Sequence, residues 1–479
     1  MATLTIRNLT IHPLDLLSVH RFQSSRIKLG SLLQNVSSSL TGFLNATEPL
    51  KYAYEPIGDP LSAQTVSFHT APFQTTHTDI PPTDLSNEVI RLTFRTEGDH
   101  HYEADVPSMG TQSAIMRKLT NGPHDLTIVY IPSRALLTVF SSAKLQAWMQ
   151  ELRDEWPLTL LSIPGTHNSP TCHRALPSVR CQATTIEEQL ENGVRFLDIR
   201  VSAKPDDDAL ALVHGAFPIS MSGTKYFGDM LEDVYRFLEE NPSEAVLMSV
   251  KREGTGKATD GQMGHHLKNR YTDKRADRWW TDPRVPTLGE ARGKIVLVRR
   301  FGLDDDMMRD GGGYGVDAQE WPDNCEDGLG GGGGFRIQDF YEISESQNID
   351  KKIEFTRRQL ERAAEQTFAL AGMPNHDPEA RPPPFFVNFL TASNFFNATC
   401  WPERIAAKVN PAVIDYLCGH HGDDGKGPLQ LKVGCASTGI VVTDWVGAFE
   451  NWDLVRCIVG MNARLQHLGS CSVGIEDSG

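Results

Sequence analysis

LTLLSIPGTHNS (158–169), VRFLDIRVS (194–202), ALALVHGA (209–216), AVLMSVKRE (245–253), KIVLVRRF (294–301), FRIQDFY (335–341), PFFVNFL (384–390) and GIVVTDWV (439–446) are eight short apolar runs that decide the fold. Each is rich in Val, Ile, Leu or Phe, as a strand buried on both faces is. Helical patterns separate several of them: TTIEEQLEN (184–192), GDMLEDVYRFLEEN (228–241), IEFTRRQLERAAEQTFALA (353–371) and PERIAAKVNPAVIDYL (402–417). Eight strands alternating with helices predict an α/β fold of the distorted TIM (β/α)8 barrel type. The distortion is expected at 302–334, which is Gly-rich and shows no helical pattern. Its glycine run reads as a surface loop rather than a phosphate cradle.

The polar residues follow the apolar runs. His167 and Asn168 come after LLSIPGT, Asp198 and Arg200 after VRFL, and His214 after ALALV. Lys251 and Glu253 follow VLMSV, Arg300 follows IVLV, Asp339 and Tyr341 follow FRIQ, and Asp444 follows GIVVT. All strand C-termini of a barrel converge on one mouth, where active sites lie, so these residues are expected to meet in space. Two His near neutral pKa can act as base and acid in phosphodiester cleavage by an internal hydroxyl. An Arg can stabilise the charge that builds on phosphoryl oxygens. A carboxylate behind each His fixes its tautomer, and Asp444 and Asp198 are suitable. No Ser or Cys elbow is present. Two His and an Asp could hold a metal, but the interleaved Arg and Lys would repel a divalent cation. The expectation is therefore no metal and no cofactor.

Outside this set the ordinary readings apply. His173, His265, His266, His420 and His421 read as structural or solvated, Asp206–Asp208 as a solvated turn, and Trp279 and Trp280 as packed. Arg300 could equally be a surface salt-bridge partner.

The chain of 479 residues is long enough for two domains. Residues 141–479 form the predicted barrel, opened by AKLQAWMQELRDEW (143–156), which reads as an amphipathic helix. Residues 1–140 form a β-rich module of the β-sandwich type, with strands in TLTIRNLTI (3–11), VIRLTFRT (89–96) and LTIVYIP (126–132). SLLQNVSSSLTGFL (31–44) fits a helix or a strand. The net charge of −15 argues against nucleic-acid binding and against strong electrostatic attachment to anionic membranes. No apolar stretch is long enough for a transmembrane segment. The N-terminus MATLTIRNLTIHPLDLL lacks a signal-peptide pattern, so a cytoplasmic protein is expected, with secretion by another route open. Sequons at Asn8, Asn35, Asn45 and Asn397 weigh weakly against that location, and the eight cysteines, none in a C-x-x-C pair, read most plainly as reduced thiols.

SIPGTHNS, RFLDIR, VHG, NPSEAVLMSVKRE, ARGKIVLVRRF, WPDN, IQDFY, VNFLTAS and VVTDW occur in that order between about 155 and 465. With these nine motifs the chain resembles the bacterial-type phosphatidylinositol-specific phospholipases C. The resemblance implies a metal-free distorted barrel that cleaves phosphatidylinositol, or a glycosyl-phosphatidylinositol anchor, to diacylglycerol and inositol 1,2-cyclic phosphate. Transient contact with a membrane surface is implied as well. His167 would be the general base and His214 the general acid. Arg200 would stabilise the phosphate, Asp444 would support His167, and Asp198 would support His214. Lys251, Glu253, Arg300, Asp339 and Tyr341 would hold the inositol ring. Asn168 departs from the Asp usual there, and the resemblance implies a weakened link to Arg200. The calcium-dependent eukaryotic relatives carry Asn at that position as a ligand. Two further calcium-ligand positions are Phe196 and Lys251 here, which cannot coordinate that ion. The competing expectations are a phosphodiesterase for another phospholipid headgroup and a non-catalytic inositol-lipid-binding protein.

Overall fold

The computed structural model describes residues 2–28, 52–108, 111–309, 313–345 and 348–473. The stretch 31–44 and the sequons at Asn35 and Asn45 lie outside the described residues. Contacts divide the chain into two units, Met1–Lys144 with Ile414–His420, and Leu145–Val413 with His421–Gly479.

The first unit is built on two five-stranded sheets. One contains Thr75–His77, Thr5–Asn8, Leu136–Phe140, Thr127–Ile131 and Ser113–Ile115; the other contains Tyr52–Thr70, Leu14–Lys28, Glu88–Thr96, His100–Val106 and Arg117–Lys118. Alternating positions of both sheets, among them Ile6, Ile128 and Leu137 against Leu16, Leu92 and Phe94, share one apolar core. This is the sandwich that the alternation in 3–11, 89–96 and 126–132 predicts. Asn8 is fully buried and its amide is held by the His12 and Thr70 carbonyls.

The second unit is an open α/β barrel. Its parallel strands are β1 (Ile163–Thr166), β2 (Phe196–Lys204), β3 (Val246–Arg252), β4 (Ile295–Arg300), β5 (Phe335–Gln338), β6 (Phe385–Phe389) and β7 (Ile440–Thr443). They pair in the order β4-β3-β2-β1-β7-β6-β5. No ladder joins β4 to β5 among the described residues. Val316–Asp317 adds to β4 and Gly328–Gly330 to β5 without meeting. The gap falls in the Gly-rich segment, where irregularity is expected, although a short helix, Asp305–Arg309, forms there against the reading of no helix.

Seven of the eight apolar runs are these parallel strands. The eighth, ALALVHGA, is not a barrel stave: Asp207–His214 runs antiparallel to β2, with Val201 opposite Leu212. β2 continues past the barrel rim for several residues, turns, and comes back, so His214 still arrives at the mouth. The predicted helix at 143–156 is also corrected. Only a 3-10 turn, Trp148–Glu151, forms there. Trp148, Met149, Leu152 and Trp156 are all buried on one core, and the Trp148 indole donates to the Gly193 carbonyl. Tertiary burial on several sides produces the same apolar spacing as one helix face. The four other helical patterns hold, as Ile186–Glu191, Phe227–Glu240, Ile349–Glu365 and Pro402–Gly419.

Strand parity positions the site. Phe196, Leu247, Val296, Val298, Phe335, Ile337, Val387, Phe389, Ile440 and Val442 share the core inside the barrel. Leu197, Ile199, Val246, Met248, Ile295 and Leu297 belong to a second core, with helix residues Val234 and Leu238. Side chains alternate along a strand. Continuing the inward series therefore gives Phe196-Asp198-Arg200, Leu247-Ser249-Lys251-Glu253, Val298-Arg300, Ile337-Asp339-Tyr341 and Val442-Asp444. Among the described residues no helix is long and apolar enough to cross a membrane. Trp279 is buried and Trp280 is covered by Arg284 and Lys294, so both pack.

Candidate active site

The inward series ends in a cleft of about 460 Å³ at the mouth, lined by His167, Arg200, His214, Lys251, Glu253 and Arg300 on one side. Gln319, Trp321, Asp323, Asp339, Tyr341 and the Thr391–Ser393 turn line the other. That size suits a small-molecule headgroup. Of the eleven residues singled out from sequence, eight line the cleft; Asp198 and Asp444 lie buried just behind it, and Asn168 is turned away.

The two imidazoles meet edge to face at the cleft, with ring centroids 5.5 Å apart at 85°. His167 directs Nδ1 to Asp444 Oδ1 at 3.0 Å, as expected. Its backbone N–H continues the β1–β7 ladder to the Thr443 carbonyl. Gly165 has no side chain because a Cβ there would lie 3.0 Å from the Phe196 Cβ. Burial, then the Arg200 charge, holds the His167 imidazole well below its usual pKa. Burial also pushes the Asp444 carboxyl up, opposed by the Arg200 and Lys352 charges.

His214 is supported differently from the expectation. Its Nδ1 donates to the Val179 carbonyl at 2.8 Å, with the Cys181 thiol 3.6 Å from the same nitrogen. Asp198 makes no hydrogen bond to it. Instead, Asp198 is fully buried and accepts from Arg200 Nε at 3.1 Å, Arg300 at 3.4 Å and the Asn168 backbone N–H at 3.0 Å. The reason is parity: Asp198 and Arg200 are two apart on one strand, so the carboxylate lies under the guanidinium. Those two Arg charges outweigh desolvation and hold the Asp198 carboxyl well below its ordinary range. Burial and the Arg200 charge hold His214 below its usual value.

Arg200 is clamped. A second carboxylate, Glu253, accepts from it at 3.1 Å and also pairs with Lys251 at 3.0 Å and the Gly215 N–H at 2.9 Å. Desolvation opposes its charge, but Asp198 and Glu253 raise its pKa overall. Arg300 is buried, not a surface partner, and stacks 3.7 Å over the Trp321 ring. The Trp321 indole donates to Asp339 at 3.0 Å, and the Tyr341 hydroxyl donates to Asp323 at 2.7 Å. Asn168 takes a left-handed backbone, φ 39°, and its amide donates to the Val213 carbonyl at 3.2 Å. It therefore ties β1 to the β2 hairpin rather than contacting Arg200.

Against Arg200, Lys251 and Arg300 stand Asp198, Glu253, Asp323, Asp339 and Asp444, so the mouth is not predominantly cationic. Phe196 is buried in the barrel core, and Lys251 is engaged by Glu253. One ring nitrogen of His167, one of His214 and the Cys181 sulfur lie within 4.8 Å of one another, a set that could hold a soft cation. Both Nδ1 atoms there already have partners. His265, Asp304 and Asp306 form a second, more exposed set. No disulfide joins the seven cysteines from Cys172 to Cys457.

Sequence reasoning missed Gln182, Cys181, Trp321 and Asp323. The last two lie in WPDN, whose position inside the Gly-rich segment was the available signal.

Residues 155–301 match the family model for the phosphatidylinositol-specific phospholipase C X domain. The curated proteins it resembles over this region include bacterial ones. It is 26% identical over 330 residues to the 1-phosphatidylinositol phosphodiesterase of Staphylococcus aureus (strain Newman), covering 66% of this chain and 93% of that protein. To the Listeria monocytogenes protein of the same name it is 32% identical over 166 residues, 33% of this chain and 50% of that one. A solved mutant of the phosphatidylinositol-specific phospholipase C from Staphylococcus aureus superposes with a TM-score of 0.51 at 23% identity, over 67% of this chain and 97% of that one. That likeness is one of fold.

Proposed function

We propose that the chain cleaves phosphatidylinositol, or the same linkage in a glycosyl-phosphatidylinositol, by intramolecular phosphoryl transfer. The observation that carries this reading is the adjacent His167–His214 pair with Arg200 clamped beside it. The inositol 2-hydroxyl gives its proton to His167 Nε2 and attacks phosphorus. The bond from phosphorus to the glycerol oxygen breaks, and that oxygen takes a proton from His214 Nε2. The products are inositol 1,2-cyclic phosphate and diacylglycerol. Asp444 supports the imidazolium that forms on His167. Arg200 donates to the phosphoryl oxygens as charge builds on them. Lys251, Glu253, Arg300, Asp339 and Tyr341 supply the donors and acceptors that a ring of hydroxyls needs.

Phe217, Phe395 and Phe396 form an apolar rim beside the Thr391–Ser393 wall. The rings of Phe217 and Phe395 stack at 5.5 Å, and Phe396 is 95% exposed. This rim rests on the lipid surface while the headgroup enters the cleft.

Turnover of phosphatidylinositol vesicles, followed by phosphorus NMR with and without EDTA, tests the reading. Cyclic phosphate should appear in both. His167→Ala and His214→Ala should each lose several orders of magnitude in kcat. Abolition by EDTA would sink the metal-free step, and binding without turnover would favour a lipid-binding protein.

A further inference from the structure

One short segment, Val179–Gln182, touches both histidines. Val179 presents its carbonyl to His214 Nδ1, and the Cys181 thiol packs against the same atom. The Gln182 amide nitrogen lies 2.7 Å from the His167 carbonyl, 2.9 Å from the Thr443 carbonyl and 3.5 Å from Asp444 Oδ1. Gln182 and Cys181 are fully buried, and neither lines the cleft.

The segment is itself tied down from both sides. Its Cys181 N–H donates to Thr171 Oγ1, and Thr171 Oγ1 donates to the Asn168 carbonyl. The Trp445 N–H donates to the Cys181 carbonyl, and Arg180 stacks 4.8 Å over the Trp445 ring. The turn after His167 and the turn after Asp444 are thus both bonded to the segment that orients His214. A carbonyl can only accept, so the Val179 bond fixes the proton of neutral His214 on Nδ1 and leaves Nε2 for the cleft.

We propose that Val179–Gln182 is a strap that sets the orientation of both imidazoles, with Gln182 as a positioning residue for the His167–Asp444 pair. The inference rests on the acid–base reading of that pair. Gln182 never meets substrate. Its amide holds the ends of β1 and β7 at one spacing and keeps the Asp444 carboxylate turned toward Nδ1. A neutral carbonyl supports an imidazolium less than a carboxylate does, so the strap also keeps His214 a readier proton donor than His167 would be after protonation.

The test is Gln182→Met, which keeps the volume and removes the donor. It should lower kcat by about 10- to 100-fold while KM stays within about threefold, the split expected when an interaction is used only in the transition state. Gln182→Glu is the isosteric second variant. Its added charge beside Asp444 should raise the His167 pKa and move the acid limb of the pH–rate profile upward. Nitrogen-15 NMR of the ring nitrogens reads the His167 tautomer directly and needs no turnover. A folded Gln182→Met with wild-type kcat and an unchanged imidazole spectrum overturns the strap. If that variant does not fold, an unmoved limb and spectrum in Gln182→Glu overturn it instead. If wild type cleaves no inositol lipid, the functional reading fails, and the NMR comparison still decides the strap.

Discussion

Replacing Asp198 with asparagine should damage stability and activity through the same atoms. The wild-type carboxylate is fully buried and faces Arg200 at 3.1 Å and Arg300 at 3.4 Å, side chains only 14% and 5% exposed. The asparagine fits the space but removes the charge. Arg200 keeps Glu253, whereas Arg300 keeps its stack on Trp321 and only the more distant charges of Asp339 and Glu253. Removing one partner of a buried ion pair costs about 3–5 kcal/mol, because the surviving charge stays desolvated. Urea unfolding at neutral pH should show that loss. The folded-state pKa of Asp198 lies below its unfolded value of 3.8. Its contribution is therefore present above the unfolded value and fades as pH falls through the folded one. The gap between wild type and variant should close in acid. Activity should fall with stability at neutral pH, toward the roughly 10²–10³ lost when one transition-state donor is misplaced. A destabilisation under about 1 kcal/mol, or a gap that stays constant into acid, would refute this account of Asp198.

Four further outcomes follow from the same geometry. Asp444→Asn should lower kcat by about 10³–10⁴ with KM little changed, measured on vesicles, as when a buried carboxylate no longer fixes a catalytic tautomer. Both imidazoles lie below their ordinary value of 6.5 through burial and then the Arg200 charge, so kcat/KM should peak on the acid side of that value; a maximum at or above about pH 7.5 would contradict the pair's environment. Lys352 is fully buried, and burial lowers its pKa from 10.5 to about 7. The unfolded chain holds that proton more tightly, so stability should rise with pH between those two values, and Lys352→Met should flatten the rise in thermal melts. Replacing Phe395 and Phe396 with serine should reduce sedimentation with phosphatidylinositol vesicles several-fold and leave turnover of a short-chain soluble substrate unchanged.

The parallel strands were legible because burial on both faces writes an apolar run. Their C-terminal polar residues were legible because parity carries the inward face of each strand into the mouth. An apolar run does not state its direction, and for that reason the antiparallel Asp207–His214 strand passed for a barrel stave. The carboxylate behind His167 could be found because Asp444 is a side chain at a strand end. The support behind His214 could not, since Val179 offers only a backbone carbonyl, which has no residue signature. Asn168 looked like a site residue by adjacency to His167. Being one residue off the inward series, it faces the hairpin instead.

The open seam between β4 and β5 divides the cleft into two kinds of wall. His167, Arg200 and Asp444 stand on or directly after paired strands, where a shift of one residue would disturb neighbours on both sides. Trp321 and Asp323 stand on the loop between Val316–Asp317 and Gly328–Gly330, where no ladder fixes the register among the described residues. Insertions and substitutions can accumulate there at little cost to the chemistry. Under the proposed reading, a change of headgroup could draw on this loop while the His167–His214 pair stays as it is.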